Sequence, residues 1–419
     1  MSVFGQYSER EGKTQPVPLY GKLFHVEHFS ATGETDRIWS VGTLLKATPE
    51  IATPIVELPA RRGRLISLDV FRGVTIAGMI LVNNPGSAAA YWPLKHAQWN
   101  GWTPTDLIFP FFLFIVGVSL VFSFASRLRR GDSQEALVLQ AIRRSVILFA
   151  IGLFLNGLPS FHVATWRIPG VLQRIAVAYL AAALMTLYSR TYARIAWVGV
   201  LLAVYWVLMR FVPVPGYGIP ARDIALLNPN GNLAAYLDRK LMSGHLWEGT
   251  RDPEGLLSTL PAIATALCGV LTGEWLSSHC NPKQKAAGML VAGVIGVTAG
   301  EIWGVSFPIN KNLWTSSYVL FTAGCALVCL AICYWAIDVK LYRGWWTRPF
   351  VIFGSNAIVA YIVSEVLGGA FGWKDRVFQH TFALIKPPGF ASLLYSLTVV
   401  GICFLPVWWM YRKRIFLKA

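Results

Sequence analysis

Pro104-Thr105-Asp106-Leu107-Ile108-Phe109-Pro110-Phe111-Phe112-Leu113-Phe114-Ile115-Val116-Gly117-Val118-Ser119-Leu120-Val121-Phe122-Ser123-Phe124-Ala125-Ser126 decides the fold. Beyond Asp106 it carries no charge until Arg127. At a helical rise of 1.5 Å per residue, roughly 20 such residues cover the ~30 Å hydrocarbon core of a bilayer. Similar apolar runs recur over 65–83, 141–158, 169–188, 195–212, 255–277, 285–303, 313–335, 349–367 and 390–411. The chain is 55% hydrophobic and 14% charged, whereas a soluble domain carries roughly 25% charged residues. These features predict an all-α polytopic membrane protein with about ten transmembrane helices.

The net charge of +16 does not point to nucleic acid, because its distribution follows the membrane. Arg61-Arg62-Gly63-Arg64, Arg127-Leu128-Arg129-Arg130, Arg143-Arg144, Arg190 with Arg194, Lys340 with Arg343, and Arg412-Lys413-Arg414 fall on one side of a ten-span topology. The positive-inside rule makes that side cytoplasmic, with both the N and C termini on it. No basic groove with interleaved aromatics lies outside these flanks, so nucleic acid is not an expected partner.

Residues 1–60 read as a cytoplasmic N-terminal tail without a packed core, and 61–415 as the transmembrane domain. Within the domain, 213–255 forms a long extracytoplasmic connector. It opens on Pro213-Val214-Pro215-Gly216 and continues through Asn228-Pro229-Asn230-Gly231, both turn signals. One short surface helix fits between 233 and 242. The six cysteines show no CxxC pair. Cys325, Cys329 and Cys333 repeat every four residues, as packing residues on one helix face do. Neither a disulfide framework nor a metal site is expected.

Charges inside spans are costly and face partners or cavities. Asp69 and Arg72 share a helix face, either as a self-paired anchor or with Arg72 meeting an anionic ligand. Arg174, about a turn into its span, either snorkels or pairs with a carboxylate. The connector Lys95-His96-Ala97-Gln98-Trp99-Asn100-Gly101-Trp102-Thr103-Pro104-Thr105-Asp106 concentrates polar groups between two spans. Thr103, Pro104 and Asp106 form a capping-box pattern. Asp106 is therefore either a helix cap or the group that orients His96.

Six separated motifs run in order along the chain: Ser67-Leu68-Asp69-Val70-Phe71-Arg72-Gly73; Lys95-His96-Ala97 with Trp99-Asn100-Gly101; Asp106-Leu107-Ile108-Phe109-Pro110; Arg167-Ile168-Pro169-Gly170-Val171-Leu172-Gln173-Arg174; Asp252-Pro253-Glu254-Gly255; and Asn310-Lys311-Asn312-Leu313-Trp314. With them, residues 64–411 resemble the heparan-α-glucosaminide N-acetyltransferase family and its bacterial relatives. The resemblance implies an acyltransferase that moves an acetyl group from cytoplasmic acetyl-CoA to a glucosamine-like amino sugar or glycan on the far side. It implies His96 as general base or acetyl carrier, with Asn83 and Asp106 completing the catalytic set. Trp99, Asn100, Arg174, Asp252, Glu254, Asn310, Lys311 and Asn312 would contact the acceptor. The donor's phosphates would lie at the cytoplasmic end beside Asp69, Arg72, Arg129, Arg130 and Arg143. The expected setting is a bacterial inner membrane, with a homodimer permitted and no metal required. The competing expectation is a transporter or flippase for a sugar or lipid-linked intermediate, which ten helices with intramembrane charges also suit. Against transport, no symmetric pair of interrupted helices is visible in the sequence.

Overall fold

The computed structural model describes residues 65–158, 160–369 and 373–417; the N-terminal tail expected over 1–60 lies outside them. Among the described residues the fold is helical and contains no strand, only two isolated bridges in the 213–255 connector. The main elements are α1 (Ile66–Asn83), α2 (Ile108–Leu128), α3 (Gln134–Gly157), α4 (Val171–Tyr188), α5 (Thr191–Phe211), α6 (Leu233–Met242) and α7 (Thr259–Ser277). They continue as α8 (Pro282–Ser306), α9 (Ser316–Tyr334), α10 (Thr347–Ser355), α11 (Ala357–Gly369), α12 (Trp373–Val377) and α13 (Pro388–Arg412). Nine of the described helical segments are long and apolar enough to cross a membrane; α10 and α11 add a tenth if counted as one span bent by 84°. The surface helix fitted to 233–242 is α6.

Two features depart from the sequence expectation. The third span begins at Gln134, seven residues before 141, because Ser133 caps it by accepting from Ala136 N at 3.2 Å. The ninth apolar run is not straight. It breaks at Asn356, whose amide donates to Ile415 O at 3.0 Å and accepts from Leu417 N at 2.9 Å. A buried side chain thus compensates for the interrupted backbone ladder. Among the described residues this is one broken span without a symmetric counterpart.

Alternating spans bring 84–107, 158–170, 212–258 and 307–315 to one face, here the connector face. Contacts between these loops tie that face together: Gly101 N donates to Ile309 O at 2.8 Å, Trp99 Nε1 to Leu227 O at 2.8 Å, and Ile168 N to His245 O at 3.2 Å. The opposite face carries the α2–α3 turn and the buried Arg194, which closes the end of α4 through Thr186 O and Ser189 O and pairs with Glu274 of α7. Among the candidate spans α7 is the most enclosed and α8 the most exposed.

Without a hydrophobic drive between helices in lipid, close backbone approach supplies the packing. At the α2–α7 crossing a Cβ on Gly117 would sit 2.0 Å from Ala266 O, and one on Gly269 would sit 2.0 Å from Phe114 O. Gly117→Val is therefore expected to force the crossing apart. Overpacking costs about 1–3 kcal/mol where side chains can yield, and here the obstacle is backbone. Thermal denaturation in detergent should show a clear loss, with Gly199→Val as the control, since nothing lies within 4 Å of a Cβ there. Equal midpoints for the two variants would contradict the account.

Candidate active site

The His96 connector reaches the connector face through two 3-10 turns, Trp92–Leu94 and Pro104–Leu107. Pro104 presets the first helical φ and Thr103 stands at the N-cap. Asp106 Oδ2 then accepts from Thr103 N at 3.0 Å and from Ala97 N at 3.0 Å. Its second oxygen meets His96 Nδ1 at 2.6 Å. The two readings of Asp106 are thus compatible, because one carboxylate caps the helix and orients the imidazole. The Asp106 side chain is 1% exposed and that of His96 is 46% exposed, so a buried anchor holds a half-open ring. An ionised carboxylate only accepts, so Nδ1 carries the proton and Nε2 presents a lone pair.

Lys311, from the α8–α9 loop, closes over that ring, with Nζ 3.0 Å from Nδ1 and 3.1 Å from Nε2 of His96, and 3.9 Å from Asp106 Oδ1. Burial pushes the Lys311 ammonium below the ordinary lysine range, with Asp106 and Glu254 opposing the shift. Asn310 sets this loop. It is fully buried, its Oδ1 accepts from Leu313 N at 3.0 Å, and its Nδ2 donates to Asn100 Oδ1 at 3.2 Å. Asn312 is half-buried beside it.

A second cluster lies on the same face. Arg167 grips Asp252 with two bonds of 2.8 and 2.7 Å and reaches Glu254 at 2.5 Å. Burial alone would lower its pKa, but Asp252 and Glu254 outweigh burial and raise it. The Arg174 guanidinium, buried, binds Gly255 O at 3.2 Å and Ser258 Oγ, and stacks 5.0 Å over the Trp314 ring. Trp314 meets Tyr318 edge-on at 5.4 Å, and the Tyr318 hydroxyl donates to Asp106 O. This row of side chains physically joins Arg174 to the His96–Asp106 pair. Trp99 stacks under Arg251 at 4.7 Å. Asn83 is exposed at the end of α1, whereas its neighbour Asn84 is buried and tied to Ile80 O and Ser364 Oγ.

A cavity of about 640 Å³ enters from the opposite face. Arg127, Gln140, Arg143, Arg144 and Arg72 line it, together with Phe416 and Leu417 of the C-terminal segment. Deeper in, it passes Ser119, Ile147, Val116 and Phe112 to Leu172 and Ile175, in the first turns of α4 nearest the connector face. Arg72 and Arg143 are thereby brought to one cavity. Arg129 and Arg130 are exposed and do not line it, nor does Asp69, which pairs with Arg72 at 3.6 Å. Arg127, Arg144, Arg167, Trp314 and Tyr318 were not among the site residues read from sequence. Of these, Arg167 and Trp314 belong to the six ordered motifs, Arg127 and Arg144 to the basic flanks, and Tyr318 to neither.

Among the described residues no cluster of His, Cys, Asp and Glu suits a metal ion. The arrangement defines a polytopic helical membrane protein with a buried carboxylate–imidazole pair on one face and an arginine-lined cavity open to the other. The chain belongs to the family described as heparan-alpha-glucosaminide N-acetyltransferase, catalytic, whose model matches residues 64–298. The mouse heparan-alpha-glucosaminide N-acetyltransferase is 30% identical to it over 93% of this chain and 66% of its own length. The human protein of the same name is 32% identical over 92% of this chain and 65% of its own length. The chain thus spans just under two thirds of these relatives.

Proposed function

We propose that this protein transfers an acetyl group from acetyl-CoA, bound from the arginine-lined face, to an amino sugar at the connector face. By the bias of its basic residues the arginine-lined face is cytoplasmic, with both termini on it. The observation that carries this reading is the cavity itself. It runs from Arg127 and Arg143 toward Leu172 and Ile175 in the first turns of α4, the direction a pantetheine arm must take, while the His96–Asp106 pair stands at the far side.

Each part has a chemical task. An amine attacking a thioester needs a base, an oxyanion donor and an aligned path. His96 Nε2 takes the amine's proton, or carries the acetyl group itself. The exposed Asn83 amide is the candidate oxyanion donor. Asp106 holds the imidazole as the Nδ1–H tautomer. Glu254, Trp99 and Asn100 supply the carboxylate, ring and amide that an amino sugar pairs with, while the buried Asp252 and Asn310, expected from sequence to touch the acceptor, instead hold the loops behind them.

Labelled acetyl-CoA incubated with purified protein and a panel of sugars tests the proposal. Acetylation of one amino sugar supports it; sugar flux into vesicles without any acetyl transfer overturns it in favour of transport. Arg143→Ala is expected to raise the KM for acetyl-CoA about tenfold at nearly constant kcat, as loss of one charge-assisted phosphate bond does. An unchanged KM would remove Arg143 from donor binding.

A further inference from the structure

We propose that Lys311 Nζ stands where the acceptor's amine stands during transfer, and that the protein acetylates itself there when donor is bound without acceptor. The inference rests on the acetyl-transfer reading above. Its geometric basis is the position of Nζ over the imidazole, 3.0 Å from Nδ1 and 3.1 Å from Nε2 of His96. Because Nδ1–H is committed to Asp106, Nε2 is the ring's free acceptor, and a rotation of the Lys311 side chain from the face of the ring to its edge brings the amine onto that lone pair. The acceptor's amine needs that same approach before it attacks a thioester carbon.

The surroundings favour the reaction. Buried Asn310 and the bond from Gly101 N to Ile309 O pin the loop backbone, so Lys311 returns to the ring whenever the site is empty. Burial lowers its pKa and so enlarges the nucleophilic, uncharged fraction. Lys95, on the His96 connector itself, is exposed and has no such placement.

The step balances without an oxidant or further reactant. The Nζ lone pair attacks the carbonyl carbon of acetyl-CoA. The carbon–sulfur bond breaks, an amide bond forms, and CoA leaves as thiolate. The amine proton passes to His96 Nε2 and from there to the thiolate. The product is a neutral amide that no longer pairs with Asp106 and fills the acceptor's space, so acetylated chains lose turnover. Acceptor binding displaces the side chain and protects it.

Full-length protein is incubated with acetyl-CoA with and without an amino sugar that it acetylates, then mapped by peptide mass spectrometry. The expected result is one acetyl group at Lys311 without sugar, in large excess over Lys95. The same acetylation should be suppressed by the sugar and absent from His96→Ala. Lys311→Arg, which keeps the charge but is not acetylated, should lose the modification and the accompanying decay of activity. If the sugar is acetylated while Lys311 stays unmodified, the inference fails and the proposed function stands. Equal labelling of Lys311 in His96→Ala also overturns it, because the reaction is then uncatalysed. If neither sugar nor lysine gains an acetyl group, the proposed function itself fails.

Discussion

His96→Ala is expected to lower the kcat of acetyl transfer by at least about 10²-fold, the usual contribution of a positioned general base. The loss should be chemical rather than structural. The ring is half exposed, and Asp106 keeps its bonds to Ala97 N and Thr103 N without it. The connector and the start of α2 therefore stay in place, and the thermal midpoint should move little. Lys311, 3.9 Å from Asp106, settles onto the vacated carboxylate but is held there as an ammonium and makes a poor base. Added imidazole should restore part of the rate by taking the place beside Asp106 that the substitution vacates and displacing Lys311 from it. In the parent protein, a burst of CoA without acceptor beyond the amount accounted for at Lys311 would identify an acetyl-imidazole intermediate. Its absence, with intersecting initial-rate lines, would identify direct transfer. Turnover near that of the parent protein would refute the assignment of His96.

Span positions were legible because long apolar runs have few ways to satisfy their backbone in lipid. The dual use of Asp106 was half legible. The Thr103-Pro104-Thr105-Asp106 pattern announced the cap, but the bond to His96 depends on how 95–103 folds back, which spacing does not encode. Trp314 and Tyr318 were invisible as site residues. An aromatic in or beside an apolar run reads as packing until its neighbours are known, and only the tertiary contacts reveal the row from Arg174 to Asp106. Among the basic flanks, charge told which side the arginines occupy but not which way they face. Arg129 and Arg130, just past the end of α2, do not line the cavity that Arg127 lines, whereas the adjacent Arg143 and Arg144 both line it. The break at Asn356 was hidden for a related reason. Gly354-Ser355-Asn356 is tolerated within a helix, and what stabilises the bend is a strap from residues about sixty positions later.

Asp106→Asn should be nearly as damaging as removing His96, with the fold retained. The two carboxylate oxygens do different work. Oδ2 accepts from two backbone N–H groups, and Oδ1 accepts from His96 Nδ1. Asparagine offers one oxygen and one NH₂. Turning the NH₂ toward Ala97 N and Thr103 N would oppose donors to donors in a site that is 1% exposed, at a cost of about 1–3 kcal/mol for each unsatisfied group. The oxygen therefore takes the Oδ2 position and the NH₂ faces the imidazole. Nδ1 must then accept, which moves the ring proton to Nε2, where the acceptor amine needs a lone pair. The base is present, correctly placed and in the wrong tautomer. A fall in kcat of about 10²–10⁴-fold is expected, in line with the magnitude of general-base catalysis. The KM for acetyl-CoA should hold, because the arginine cavity is untouched, and the thermal midpoint should fall only modestly. Self-acetylation at Lys311 should disappear in parallel, since it uses the same lone pair. If Asp106→Asn instead unfolds the protein while Asp106→Glu restores stability but not rate, the carboxylate serves chiefly as a cap. If Asp106→Asn turns over normally, His96 does not depend on Asp106 for its protonation state, and the proposed division of labour between the two oxygens is wrong.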